Sequence, residues 1–236
     1  MKQNLLIIPA GPNALFQQWS NYSNLNFDTA VINWQGAPLQ NIEGATYVEN
    51  IPGQKWKIVA EFAKRHDLSQ YERIWVLDDD CLTTPEGVAA TFDLCKEYDL
   101  DLAQPALTPD SSRTHPSTFL IPGAKLHYTN TVEIMCPIFS QRAWPLCSAH
   151  FGTMPAGIGY GMEGYWSDIL ESASSKTKFG GRVAVIDIYP VKHTKTVTGP
   201  ADYARMGIDP NDDGRYFQSL GFGWSFNTTE VVQNNF

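Results

Sequence analysis

Short unbroken apolar runs alternate along this chain with longer stretches whose apolar positions recur every three or four residues. "NLLIIPA" (4–10), "FDTAVINW" (27–34), the run 73–77, "LDLAQPAL" (100–107), "VEIMCPIF" (132–139) and "RVAVIDIYPVKHT" (182–194) read as strands. Between them, "PNALFQQWSNY" (12–22) reads as a short helix. "GQKWKIVAEFAKRH" (53–66) places Trp56, Val59, Ala60 and Ala63 at helical i, i+3, i+4, i+7 spacing. "TPEGVAATFDLCKEY" (84–98) opens with Thr84 as N-cap and Pro85 in the first turn, where a missing N–H costs nothing. "SQRAWPLCSAHF" (140–151) predicts a helix capped by Ser140 and shortened or kinked by Pro145. "GIGYGMEGYWSDILESAS" (157–174) is a glycine-rich loop running into a helix. Residues 108–130, rich in Pro, Ser, Thr and His, predict a long loop, and the tail from Pro200 predicts loop and helix. Strands alternating with helices imply a mainly parallel, three-layer α/β sheet. No repeat or linker interrupts it, so one domain over 1–236 is expected.

Composition narrows the partners. With 236 residues, 43% hydrophobic, the chain can bury a full core. Its net charge of −8 disfavours nucleic acid and anionic membrane as main partners, since no basic excess exists to neutralise phosphates. Cys81, Cys95, Cys136 and Cys147 lack metal-knuckle spacing, and a chain this long needs no disulfide, so free thiols are expected. The apolar run Leu5–Ile8 is too short for a signal segment, and no transmembrane-length stretch occurs; a soluble, cytoplasmic protein is expected.

The chemistry concentrates in "YERIWVLDDDCLTTP" (71–85), where an apolar run ends in Asp78, Asp79 and Asp80. At roughly 5–6 Å and an effective dielectric near 20, each ionised pair costs about 3 kcal/mol. A bound cation would remove that cost. If the strand continues, Asp78 and Asp80 share a face, and a carboxylate pair at a strand's carboxyl end suits a hard divalent ion that also binds phosphate. The alternative is an acidic turn capping the helix that begins at Thr84. Two other motifs fit less well. Haloacid-dehalogenase-type phosphatases want Thr or Val where Leu82 stands. "DPNDDG" (209–214) copies half an EF-hand loop, but Leu220 occupies the position of its bidentate Glu, so a turn is expected there.

Five blocks follow in order: the Asp-x-Asp after a strand, "QPAL", "VEIMCPIFS", "GYGMEGYW" and "VIDIYPVKHT". Together they resemble GT-A-type glycosyltransferases. More closely, they are similar to a group related to plant lysine-ketoglutarate-reductase trans-splicing-related proteins. The resemblance covers roughly 5–199; the tail from Pro200 matches nothing in it. It implies a nucleotide-binding half (1–107), an acceptor and catalytic half (108–199) and a C-terminal extension (200–236). It further implies a nucleotide-diphosphate sugar donor, an unidentified glycan or other hydroxyl acceptor, and Mn²⁺ or Mg²⁺. Asp80 would be the direct metal ligand, and Asp78 would hold the ribose or a metal-bound water. His193 would be a further ligand, a set that suits Mn²⁺. Pro9, Ala10 and Gly11 would cradle base and ribose, with Asp79 beside them, and Lys55 would touch a phosphate. Glu163 would be the general base of an inverting transfer, or else a helix cap. Glu133, an acid in an apolar run, needs a partner: either the acceptor or an arginine such as Arg142. Trp166 and Tyr165 would stack on the sugar or belong to the core. A non-catalytic nucleotide-sugar or glycan-binding module, and a metal-dependent phosphatase or nucleotidyltransferase, are the competing functions.

Overall fold

A computed structural model of the chain describes residues 3–19, 25–112, 115–176, 182–196, 200–223 and 228–234. The strands are β1 (Asn4–Ala10), β2 (Phe27–Asn33), β3 (Tyr47–Asn50), β4 (Arg73–Val76), β5 (Cys81–Leu82), β6 (Leu102–Leu107), β7 (Ala124–Thr129), β8 (Ile138–Ser140), β9 (Val183–His193) and β10 (Thr228–Gln233). The helices are α1 (Lys55–Arg65), α2 (Pro85–Glu97), α3 (Trp144–Cys147), α4 (Met162–Lys176), α5 (Pro200–Arg205) and α6 (Asn211–Ser219). The sheet runs in the order β10-β7-β9-β6-β8-β4-β1-β2-β3. Pairing is parallel from β4 through β3 and between β6 and β9. The short β8 wedges antiparallel between β4 and β6. β7 and β10 add an antiparallel edge.

Central strands buried on both faces carry continuous apolar runs rather than alternation, and β1 is buried at all its positions. Its side chains still divide by parity. Leu5 and Ile7 enter one core with Trp56 and Phe62 of α1, Trp166 and Leu170 of α4, and Phe217 of α6. Leu6 and Ile8 enter the other with Val88 and Phe92 of α2. The result is the expected three-layer α/β/α arrangement. Thr84 caps α2 by accepting from the Gly87 amide at 3.1 Å, with Pro85 in the first turn, as the sequence predicts.

Several boundaries differ from expectation, each for a local reason. The helix expected over 12–22 is a single 3-10 turn at Leu15–Gln18; residues 20–24 lie outside the described ones. Pro145 shortens the helix expected over 140–151 to α3. The strand expected over 132–139 is confined to β8 at its end, although the Val76 and Asp78 amides still bond the Pro137 and Met135 carbonyls in the register of the β4–β8 pair. β7 lies inside the stretch read as loop.

Besides Phe217 in the core and the β10–β7 pairing, the C-terminal extension is bound into the fold through a buried acid. Asp213 of α6, fully buried, accepts from the backbone amides of Ala156, Gly157, Ile158 and Gly159 at 2.7, 3.2, 2.8 and 2.8 Å. "DPNDDG" is thus the start of a helix that clamps the glycine-rich loop, not half a calcium loop. Gly159 has φ +102°, and a Cβ there would stand 2.6 Å from Nε1 of Trp56. The loop therefore sits directly on α1. Asp213→Ala strands four buried donors of a charge-assisted cluster, so a loss of about 3–5 kcal/mol is expected. Urea denaturation checks this, and a loss below about 1 kcal/mol contradicts it.

Candidate functional site

The aspartates do not continue β4; they form a turn. The Leu77 amide still pairs with the Ile7 carbonyl at 2.9 Å, and the Asp78 amide bonds the Met135 carbonyl at 2.9 Å. The Cys81 amide then folds back to the Asp78 carbonyl at 3.2 Å. β5 leaves this turn antiparallel to the end of β9, with Cys81 opposite His193. That pairing, rather than a shared strand face, brings Asp80 to the histidine.

Each carboxylate has its own cationic or amide partner. Asp78 pairs with Lys55 at 2.5 Å. Asp79 accepts from the Gly11 amide at 2.7 Å and pairs with Lys195 at 3.2 Å. Asp80 lies 3.4 Å from Nε2 of His193 and 3.6 Å from Lys195. The mutual repulsion of the three acids is offset by cations from two separate segments, Lys55 at the start of α1 and His193 with Lys195 at the end of β9. Burial pushes the Asp78 carboxyl above its ordinary range, and Lys55 opposes that only in part. Burial also acts on Asp80, but His193 and Lys195 outweigh it and hold Asp80 below the ordinary range. Burial works against protonation of His193, yet Asp80 raises its pKa overall.

The donor set fits a divalent cation. His193 is anchored by Nδ1, 2.9 Å from the Ser112 carbonyl. Donation there leaves Nε2 turned to Asp80, the orientation that metal-bound imidazoles take from an outer partner. Among the described residues, no group of three or more His, Cys, Asp or Glu is already gathered as a metal cage. Asp80 and His193, with Asp78 beside them, would instead supply part of a shell completed by phosphate and water, the usual manner of Mg²⁺.

The turn opens on a 250 Å³ cavity lined by Pro9, Trp34, Gly53, Gln54, Lys55, Ile58, the three aspartates and Met206. Pro9, Lys55 and Asp78 to Asp80 thus line one cavity. Gly11 is needed where it stands: a Cβ would lie 3.1 Å from the Trp34 ring and 3.2 Å from Asp79. Glu163, in the first turn of α4, is buried and does not line this cavity. Its Oε2 has no hydrogen-bond partner. Burial first, then Glu133, push its pKa up to about 8, against backbone amides and Lys55.

Other expectations are corrected. Trp166 is fully buried, donates to the Cys147 carbonyl at 3.1 Å, and packs edge-on to Trp56 at 5.6 Å; it presents no face to a sugar. Tyr165 is buried too, bonded to the Leu146 carbonyl. Ala10 is fully enclosed in the core behind the cavity. Arg142 is held by Asp99 and Asp101, at the opposite end of β8 from Glu133. Glu133 instead accepts from the His115 amide at 3.0 Å and the Thr118 hydroxyl at 3.4 Å.

Sequence reasoning missed Lys195, Trp34, Gln54 and Met206. Lys195 had a local signal, two residues past His193 beyond a strand end. Trp34 ends an apolar run and reads as core. Met206 arrives from the extension, and no periodicity announces it.

The fold is of the GT-A type seen in glycosyltransferases. S. aureus TarS (residues 1–349) superposes with a TM-score of 0.54 at 12% identity, over 87% of this chain and 63% of its own. GalNAc-T7, solved with UDP, GalNAc and Mn²⁺, gives 0.53 at 10% identity, over 92% of this chain and 49% of its own. The chain therefore spans about half to two thirds of these structures' length. No protein-family profile matches it, and neither does any curated protein. Among the described residues, no helix is long and apolar enough to cross a membrane.

Proposed function

We propose that this protein transfers a sugar from a nucleoside diphosphate to an acceptor hydroxyl. The observation that carries this is the aspartate turn on a GT-A-type fold, facing a cavity and flanked by Lys55, Lys195 and His193. UDP and Mn²⁺ in the GalNAc-T7 structure favour a uridine donor and a divalent ion. The order of the five sequence blocks supports kinship with the plant-related group named above.

Asp78, Asp80 and His193 would hold the ion, whose charge stabilises the departing diphosphate. Lys195, half-exposed and paired with Asp79 and Asp80, can turn to a phosphate once these acids are engaged. Base and ribose would rest against Pro9 and Trp34, with Gly11 packed beside the Trp34 ring. Glu163 would take the acceptor's proton as its oxygen bonds the anomeric carbon and the diphosphate leaves with the electron pair. A pKa of about 8 matches that duty, because a base works best when poised near the operating pH. As the base must be ionised, kcat/KM should rise with pH up to that value.

Ligand at 100 times its dissociation constant adds about 2.7 kcal/mol of stability. A thermal-shift series with UDP, GDP and ADP, each with and without Mn²⁺, should show at least one clear metal-dependent gain. No gain with any of them refutes the proposal. The burial of Glu163 favours one second function, a nucleotide-sugar-binding module without turnover. Metal-dependent release of free sugar from the donor separates the two.

A further inference from the structure

α1 begins at Lys55, which pairs with Asp78, and α4 carries Glu163 in its first turn. First-turn amides have no partner within their own helix and need one from elsewhere. Gln54, at the N-cap of α1, makes no side-chain cap, and Gln is not among the short polar residues that favour that role. The Gly157 carbonyl serves instead, accepting from the Trp56 amide at 3.2 Å. At α4 the Met162 amide donates to the Gly159 carbonyl at 3.0 Å. The N–H groups of the same two glycines donate to Asp213 at 3.2 and 2.8 Å, beside those of Ala156 and Ile158 at 2.7 and 2.8 Å. Four successive amides turned on one buried carboxylate form an anion nest filled from within the chain.

We propose that Asp213 is a positioning residue for both Lys55 and Glu163, acting through Gly157 and Gly159. This rests on the reading of Lys55 as a phosphate contact and Glu163 as the general base. Each glycine grips the acid by its N–H and a helix start by its carbonyl, so displacing the acid reaches α1 and α4 together. The two glycines stand at φ +76° and +102°. Glycine enters and leaves such conformations at little cost, so the carboxylate, not a backbone preference, fixes the course of the loop. α6 supports the same junction through its other residues. A Cβ on Gly161 would stand 3.2 Å from the Gly214 backbone, and Phe217 stacks on Tyr165, two residues beyond Glu163, at 5.5 Å. The extension from Pro200 is therefore part of the framework of the site. A chain ending at residue 199 would lack the group that sets Lys55 and Glu163.

The test is amide hydrogen exchange, free of metal and nucleotide, on the parent, Asp213→Asn and Asp213→Ala. In the parent, the amides of Trp56 and Met162 should open as one unit with those of residues 156–159. In the variants Trp56 and Met162 should exchange within about tenfold of an unstructured peptide, while amides of β1 stay protected. Formate, the smallest carboxylate, should refill the nest in Asp213→Ala and restore that protection, and chloride should not. If Asp213 only adds global stability, Trp56 and Met162 stay protected alongside β1, which overturns the proposal. So does independent opening of these amides in the parent, a result that decides the matter even if both variants fail to fold. In folded Asp213→Asn, kcat and UDP affinity measured with Mn²⁺ should fall about 10–100-fold, the scale of a misplacement near 1 Å. A parent without UDP binding or turnover refutes the sugar-transfer reading alone, because the exchange needs neither.

Discussion

Glu163→Gln is expected to lower kcat by about 10²–10⁴-fold and, at pH 8, to make the protein more stable. The first effect follows from removing a proton acceptor while keeping the shape of the side chain. Donor and metal affinity should hardly change, because proton acceptance matters only as the acceptor oxygen attacks. The second effect follows from linkage. The pKa of Glu163 stands at about 8 in the folded protein, against 4.5 for an ordinary glutamate. The native state therefore binds more protons than the unfolded chain between those values, and stability falls as pH rises through the window. Gln does not titrate, so it escapes that loss. The gap between variant and parent should be near zero at pH 4.5 and reach about 4 kcal/mol or somewhat less at pH 8. Denaturation at both pH values measures it. A mere helix cap would behave oppositely, with lower stability at high pH and little loss of turnover. Turnover within about threefold of the parent would exclude Glu163 as the base.

The fold was legible wherever local and tertiary demands agree. β1 and β4 are short apolar runs because both faces are covered, and Thr84-Pro85 starts α2 by satisfying its own first-turn donors. β7 and β10 were not legible. β7 alternates only loosely within a stretch dense in turn residues, and β10, exposed along most of its length, depends on β7 for its pairing. The candidate site divides in the same way. The aspartates, Lys55, Pro9 and Gly11 come from segments adjoining β1, β4 and α1, whose order fixes their meeting. His193 reaches Asp80 only through the two-residue β5, which no pattern in "CLTT" reveals. Trp166 misled because an aromatic at a helix start looks the same in sequence whether it faces a ligand or, as here, Trp56 and Phe139. The role of the extension, through Asp213 and Met206, lies entirely in tertiary contacts.

Asp80→Ala should cost at least about 100-fold in UDP affinity measured with Mn²⁺ and little in UDP affinity measured without metal. Loss of an outer partner of a metal site already weakens binding by about 10–100-fold, and Asp80 would bind the ion directly. The apo protein supplies an independent check. Simple crowding of like charges predicts that removing one of three aspartates relieves strain and stabilises the fold. The structure predicts the reverse. His193 and Lys195 hold the Asp80 carboxyl below its ordinary range, so its ionised form is favoured by folding. A depressed folded-state pKa contributes stability above the unfolded value of 3.8, and that stability disappears as pH falls through the folded one. Without metal, Asp80→Ala should therefore melt below the parent at pH 7 and converge with it in strong acid. Loss of the carboxylate also leaves the His193 imidazole turned toward an empty position, so its protonation at neutral pH should weaken. Calorimetry with UDP and Mn²⁺ together reads the first effect, and denaturation at the two pH values reads the second. A variant that binds both as the parent does would remove Asp80 from the metal site. A variant more stable than the parent at pH 7 would show that repulsion within the turn outweighs its pairing with His193 and Lys195.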